Sequence, residues 1–496
     1  MSARKLKILI VSAEVAPFAK VGGLADVAGA LPKSLKALGH DVRVAMPGYK
    51  MVTSNAAYDV QTELKSFPVP IREGVTETGW VKRTTLGDGI PVYLVGHKTH
   101  FAKATQSSKV YVYDPEPYIF FDRAVCEAIP RIEPEWIPDV IHCNDWHTGL
   151  IPVYLDAFYS NHPTWANTKR VFTIHNLAYQ GDFDHSALAM AGLPEWMFTY
   201  DRLEFYSKVN FLKAGLVYSH DVNTVSVKYS QEIQTPEYGC QLEGLLKFLS
   251  GQERLFGILN GIDTEEYDPS TDPRIPAKFS AVKPAGKAKC RTALQAEAGL
   301  PKSKDQAVVG LISRFADQKG FDLIEQAAEK LLELPIQLAV LGMGDSRYEA
   351  FFRDLEKRYP KQVKVWVGFD IDLAQRIYAG SDLFLMPSRY EPCGLGQLMA
   401  LRYGSVPIVR STGGLADTIQ EFDVKRGRGN GFVFDEYDSE AMLAAVERAV
   451  TVFSNKEAWS KLTDKALASD FSWDRSAKKY VELYRRQQTA QLKKAA

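Results

Sequence analysis

Short runs of β-branched and aliphatic residues alternate along this chain with longer stretches in which apolar residues recur every three or four positions. The short runs predict strands at Leu6–Ser12, Val42–Met46, Pro91–Val95, Val140–Cys143, Val171–Ile174 and Asp221–Val225. A second set is expected at Phe256–Leu259, Val308–Ile312, Gln337–Leu341, Lys364–Val367, Leu383–Met386, Val406–Val409 and Gly431–Phe434. Most are apolar on both faces, the pattern of parallel strands buried under helices. Strands alternating with amphipathic helices predict βαβ units and an α/β fold.

The two sets divide near Asn260-Gly261-Ile262-Asp263, which leads into a Pro- and Asp-rich segment and then a Lys-rich stretch. The expected organisation is two doubly wound domains, residues 1–258 and 259–474, with ligands at the carboxyl ends of the strands. Gly-Gly-Leu-Ala-Asp occurs at Gly22–Asp26 and again at Gly413–Asp417, each after a strand and at the start of a helix. One reading is a phosphate-binding turn in each domain, the two facing across a cleft; the other is two helix starts that need glycine for the backbone.

Composition narrows the partners. Lys+Arg and Asp+Glu both number 60, which removes the broad electrostatic case for nucleic acid or anionic membrane. A neutral polymer such as a polysaccharide needs no charge complement. The five cysteines form no C-x-x-C pair, which argues against a disulfide framework or a structural zinc site and for a reducing compartment. The first residues lack the pattern of a secretory signal, and no run is long enough to span a bilayer, so a cytoplasmic location is expected, or a plastid stroma after removal of a transit peptide.

Four motifs carry candidate chemistry. Lys20-Val21-Gly22-Gly23-Leu24-Ala25-Asp26 joins a cation to glycines at a helix N-terminus, a combination that suits a phosphate. Arg314 and Lys319, in Ser313–Gly320, lie just past a strand, where two cations can hold a diphosphate and stabilise it as it leaves; a solvated pair at a helix start is the alternative. In Pro387–Gly396, Glu391 sits in a Pro- and Gly-punctuated turn, placed either to accept hydrogen bonds from sugar hydroxyls or to cap a helix. Cys393 beside it lacks a Cys-His-Asn signature and is expected to pack rather than attack. His142–His147, followed by His175 and Asn176 after the next strand, lacks the helical spacing of a zincin and fits a sugar pocket better than a metal. Gly342-Met343-Gly344-Asp345 lacks the third glycine of a dinucleotide fingerprint and is expected to be a tight turn.

Taken together, Lys20–Asp26, Asp145–Leu150, Phe172–Gly181, Asn260–Asp263, Ser313–Gly320, Glu391–Leu395 and Thr412–Asp417 resemble the glycogen and starch synthases, in family order over nearly the whole chain. The resemblance implies a GT-B fold, two Rossmann-like domains facing across a deep cleft, with a final helix (about 475–496) returning to the first domain. It implies ADP-glucose as donor, the non-reducing end of an α-1,4-glucan as acceptor, and no metal or other cofactor. Carried over by position, Lys20, Arg314 and Lys319 would hold the diphosphate. Gly22, Gly23 and the turn Thr412-Gly413-Gly414 would approach the phosphates, and Asp26 closes the first motif. Glu391 would bind glucose hydroxyls, with His175 and Asn260 beside the same sugar and Asp145 and Asn176 in or near that pocket. Cys393, Gly394 and Leu395 complete the Glu391 turn. Phe369 falls where the family often has a tyrosine stacked on adenine; the aromatic face is kept and a hydroxyl lost. Met399 stands where a wider circle of GT-B enzymes has a second glutamate, which argues against the sucrose-synthase side of the superfamily.

The family retains the anomeric configuration, yet no convincing carboxylate nucleophile is legible, which favours same-face substitution with Glu391, His175, Lys319 and Arg314 as the catalytic set. Two rival readings stay open: a GT-B transferase with a small sugar acceptor, and a non-catalytic glucan-binding relative.

Overall fold

The structure, a computed structural model, describes residues 4–486. The described residues divide into two compact units, one of residues 4–225, 230–260 and 473–486, the other of residues 226–229 and 261–472.

The first unit holds β1 (Lys7–Val11), β2 (Asp41–Pro47), β3 (Gln61–Arg72), β4 (Val75–Leu86), β5 (Ile90–His97), β6 (Val140–Asn144), β7 (Lys169–Ile174), β8 (Asp182–Asp184), β9 (Glu204–Phe205), β10 (Lys208–Asn210), β11 (Asp221–Thr224) and β12 (Leu255–Gly257). Nine form one sheet in the order β12-β11-β7-β6-β1-β2-β5-β4-β3. From β12 to β5 every pair is parallel; β4 and β3 are added antiparallel at one edge. The strands β8, β10 and β9 make a small antiparallel sheet of their own.

The second unit holds β13 (Ala307–Ile312), β14 (Ile336–Gly342), β15 (Val363–Val367), β16 (Leu383–Met386), β17 (Val406–Arg410) and β18 (Phe432–Phe434), all parallel, in the order β15-β14-β13-β16-β17-β18. This is the 3-2-1-4-5-6 order of the Rossmann fold. The parallel part of the first sheet begins in the same way. All thirteen runs expected as strands are strands. One is regrouped: Phe256–Leu259, expected with the second set, is β12, which pairs with β11 in the first sheet. The hairpin β3–β4 and the small three-stranded sheet have no counterpart in the expected list.

Both cores follow from strands apolar on two faces. In the second unit, Val309, Leu311, Leu338, Val340, Leu383, Leu385 and Ile408 are buried with the helices Phe321–Glu333 and Ser439–Ser454. In the first, Ile8, Ile10, Val140 and Val171 pack with Val27, Leu31 and Leu35 of the helix Gly23–Ala37. The same cluster takes Trp473, Ala477, Tyr480 and Tyr484 from the last described helix, Trp473–Arg485. That helix is pinned by polar contacts as well: Tyr484 Oη lies 2.8 Å from His142 Nδ1, and Lys169 Nζ donates to the carbonyl of Leu483. The expected continuation of this helix through 487–496 lies outside the described residues. Among those described, no helix is long and apolar enough to cross a membrane.

Candidate functional site

In each parallel sheet the strand order reverses at one point, where loops diverge and leave room for a ligand at the carboxyl ends. In the second unit the reversal falls between β13 and β16, and the motif residues leave those two strands. Arg314 follows β13 and is exposed. Lys319 ends a short 3-10 turn, and Gly320 after it has φ 72°, a left-handed conformation that glycine adopts without steric cost. A Cβ on Gly320 would stand 1.9 Å from the carbonyl oxygen of Pro387, so the turn lies against the β16 loop. There Lys319 Nζ meets Glu391 Oε2 at 2.6 Å, and Ser388 Oγ donates to the same oxygen at 3.1 Å. Glu391 and Ser388 are buried. A buried carboxylate needs such partners, because taking an ion out of water is expensive. Phe369 follows β15 and is 71% exposed, its ring held out ahead of Asp370, which caps the next helix by accepting from Leu373 N–H.

In the turn Thr412-Gly413-Gly414, the amides of Thr412 and Gly414 bond to carbonyls of the chain itself. Gly414 N–H donates to the carbonyls of Glu391 and Pro392, and Thr412 N–H donates to Arg410. A Cβ on Gly413 would come within 1.9 Å of the Glu391 carbonyl oxygen, and one on Gly414 within 2.0 Å of that of Cys393. The glycines let this turn lie directly on the Glu391–Cys393 backbone, and their visible work is to hold the loop. Cys393 is buried, Gly394 takes φ 69°, and Leu395 precedes the helix Gly396–Arg402. Gln397 anchors the loop by donating to the carbonyls of Cys393 and Gly394. Asp417, from the same motif, accepts the N–H groups of Val227 and Lys228.

In the first unit the reversal falls between β1 and β6. Lys20 follows β1 and pairs with Asp26 at 2.6 Å, so the two charges of the motif hold each other. Beneath the turn lies Glu14, 2% exposed and absent from the sequence-derived set. Its Oε2 accepts from Val21 N–H (2.5 Å) and Gly22 N–H (3.0 Å), and its Oε1 accepts from Tyr111 Oη (2.5 Å). Gly22 therefore spends its amide on a carboxylate of the chain itself. Burial raises the Glu14 carboxyl above its usual range, against the lowering effect of these hydrogen bonds. The two Gly-Gly motifs are also out of step. The first helix begins at Gly23 after an extended Gly22, the second at Gly413 with φ 45°.

Asp145 follows β6 with φ 57° and ψ 175°, a region that side chains other than glycine occupy only under strain. Its Oδ1 accepts from His175 N–H at 2.8 Å. Burial pushes its carboxyl up to about 7, and the nearby Glu14 charge adds to the rise. His175 follows β7. Its Nε2 lies 2.9 Å from Asn144 Oδ1, while Asn144 Nδ2 donates to the Val11 carbonyl. That orientation makes Nε2 the donor and leaves the lone pair on Nδ1. Burial lowers the His175 imidazole to about 3, so at neutral pH the ring is uncharged. Asn176 accepts from Ala178 N–H and shapes the loop. Asn260 is buried, and its Oδ1 has no partner among the described residues. His142 and His147 turn away from ligand chemistry: the first is buried against Thr173 and Tyr484, the second stacks between Trp146 and Tyr111. Gly342–Asp345 is the expected turn, with Asp345 capping the helix Ser346–Arg358.

Over 97% of its length the chain is 46% identical to the glycogen synthase of Desulforudis audaxviator, of which it covers 96%. It is 45% identical to that of Thermotoga maritima, covering 99% of that protein. The chain belongs to the glycogen and starch synthase family. It is therefore a glycosyltransferase of glycogen and starch synthesis. The starch synthase catalytic domain matches residues 7–248 and the group 1 glycosyl transferases match residues 295–465. Among solved structures, the catalytic domain of starch synthase IV from Arabidopsis thaliana, bound to ADP and acarbose, superposes with a TM-score of 0.89 at 34% identity over 97% of this chain and 99% of that one. A sucrose-phosphate synthase from Thermosynechococcus elongatus, 16% identical with a TM-score of 0.59 over 97% of this chain and 98% of that one, shares the fold. The architecture of this synthase is accordingly GT-B, built from two Rossmann-like domains.

Glu14, Tyr111, Asn144 and Ser388 are among the polar residues around these loops to which sequence reasoning gave no role; Asn144, like Ser388, stands in a motif already quoted. Glu14 and Tyr111 are 97 positions apart, and nothing local marks either one.

Proposed function

We propose that this synthase transfers glucose from ADP-glucose to the non-reducing end of an α-1,4-glucan, with retention of anomeric configuration. The observation that carries this reading is the convergence at the β13/β16 reversal: Arg314 and Lys319 leave one strand, and the buried Glu391 leaves its neighbour, ion-paired to Lys319. Cations at that point suit a diphosphate, and a fixed carboxylate suits sugar hydroxyls. In this reading Arg314 and Lys319 hold the donor diphosphate, and Lys20 is a further phosphate contact. Glu391 accepts from glucose hydroxyls. His175 offers Nδ1 as an acceptor to the sugar, with Asp145, Asn176 and Asn260 beside it. The exposed ring of Phe369 stacks on the adenine. The ADP named with the Arabidopsis starch synthase IV supports the choice of base.

The acceptor hydroxyl oxygen attacks the anomeric carbon on the face from which the diphosphate departs. The bond from that carbon to the phosphate oxygen breaks, and ADP leaves with the acceptor proton on its terminal phosphate. Glu391 is a poor nucleophile for a double displacement, because one of its oxygens is committed to Lys319 and Ser388. The chain's own cations supply the positive charge that stabilises the leaving group.

The test is transfer of labelled glucose from ADP-glucose or UDP-glucose, offered to a glucan and to free glucose. Incorporation into the glucan from ADP-glucose supports the reading. Transfer only to the free sugar makes the protein a small-acceptor transferase, and incorporation from neither donor overturns the proposal.

A further inference from the structure

Glu77, His97 and His100 form a cluster that the transfer chemistry does not use. Glu77 lies on β4 and His97 ends β5, the two strands pairing antiparallel with Gly79 opposite His97; His100 stands in the turn that follows. A single oxygen, Glu77 Oε2, lies 3.4 Å from His97 Nε2 and 2.9 Å from His100 Nε2. The imidazole centroids are 4.3 Å apart, and both rings pack on Phe120, which sets their planes. The three side chains are 13–30% exposed, sheltered but within reach of an ion from solvent. Among the described residues this is the one group of His, Cys, Asp and Glu whose ligand atoms converge, all within 4.8 Å.

These separations match a coordination sphere. Zinc bonds of about 2.0–2.1 Å to nitrogen and oxygen at tetrahedral angles put neighbouring ligand atoms about 3.3 Å apart. The two separations to Oε2 lie either side of that value. An imidazole that ligates through Nε2 must carry its proton on Nδ1 and donate it to an outer partner. Thr99 Oγ1, 3.1 Å from His97 Nδ1, can take that proton once the tautomer changes, in place of the Thr99 N–H that donates to the same nitrogen from 3.3 Å. Two imidazoles and a carboxylate are a borderline-soft set that selects a first-row transition ion over magnesium or calcium.

We propose that Glu77, His97 and His100 bind a divalent transition-metal ion, zinc by preference, with a fourth position left to solvent. The ion ties β4, β5 and the following turn together and takes no part in glucosyl transfer.

The experiment uses the full chain, stripped with EDTA and dialysed, then titrated with zinc chloride by calorimetry and with cobalt chloride by visible absorption. One equivalent of zinc should bind and raise Tm. Cobalt should give the intense absorption of a four-coordinate site. Affinity should fall at least a hundredfold in His100→Gln and in Glu77→Gln. It should fall about tenfold in Thr99→Val, which removes only the outer partner and leaves the ligands in place. Circular dichroism of each variant checks that it has folded. Zinc binding that is unchanged in His100→Gln and Glu77→Gln would place the ion elsewhere, and no Tm rise in wild type would remove the site; either result overturns the proposal. The readouts are affinity and Tm, so the outcome is independent of the donor and acceptor assigned above.

Discussion

The ion pair between Lys319 and Glu391 can be taken apart one charge at a time. At 2.6 Å and an effective dielectric of about 20, the attraction between the two charges is about 6 kcal/mol. Desolvation of both ions offsets most of it, leaving a coupling of about 1–3 kcal/mol. Lys319→Met strands a carboxylate whose side chain is 8% exposed with only the Ser388 hydroxyl, and should destabilise by about 2–3 kcal/mol. Glu391→Gln keeps an oxygen that can accept from Lys319, so its loss should be about 1 kcal/mol. The double variant should lose less than the sum by the coupling. Turnover behaves differently. Removing a charge that stabilises the leaving group or positions the sugar costs about a hundred- to a thousandfold, and the second substitution restores neither role. The assay is urea unfolding of all four proteins, with labelled-glucose transfer measured on the same samples. Stability should partly recover in the double variant while turnover does not. Additive stabilities would refute the ion pair, and double-variant turnover within tenfold of wild type would refute the catalytic assignment.

Three further outcomes are expected. Glu14→Ala should unfold about 2–3 kcal/mol more easily and raise the donor KM, because two amides and the Tyr111 hydroxyl lose their acceptor; Glu14→Gln, whose carbonyl can still take both amides, should stay within about 1 kcal/mol of wild type with a near-normal KM. The Asp145 carboxyl is raised from 3.8 to about 7, so the fold holds that proton more tightly than the unfolded chain. Its stabilising contribution is complete below about pH 4 and is lost as pH rises through 7, so stability relative to Asp145→Asn should fall across that window; a pH-independent difference in Tm would contradict this. Phe369→Ala should raise the donor KM about tenfold or more with kcat little changed, since base stacking of about 1–3 kcal/mol is lost far from the reacting bond; an unchanged KM would remove Phe369 from the base site.

The parallel strands were legible because burial on both faces makes them short, continuous apolar runs with no competing pattern. β3 was not, although Phe67, Val69 and Ile71 alternate along it, because Pro68 and Pro70 argue against a central strand. It lies at the sheet edge, where proline is tolerated. β12 was recognised as a strand and grouped wrongly, since pairing across some thirty residues leaves no local mark. At the site, motifs marked the residues that leave strand ends. They could not say which amides remain for a ligand: Gly22 and Gly414 stand in Gly-Gly pairs of the same spelling, yet one is bonded to a side-chain carboxylate and the other to main-chain carbonyls.

The helix Trp473–Arg485 also constrains how the protein is made. During synthesis β1 leaves the ribosome before any other strand of its sheet, yet the hydrophobic cluster it joins lacks Trp473, Tyr480 and Tyr484 until the whole second unit has been made. The second unit, by contrast, ends at Ser472 and can close earlier although its strands are translated later. The nascent first unit thus waits with an apolar face uncovered while its neighbour matures, a vulnerable interval of the kind in which chaperones act. A ribosome stalled so that the helix is still inside its exit tunnel, with residues up to Ser472 already outside, should hold a protease-resistant second unit and a protease-sensitive first one.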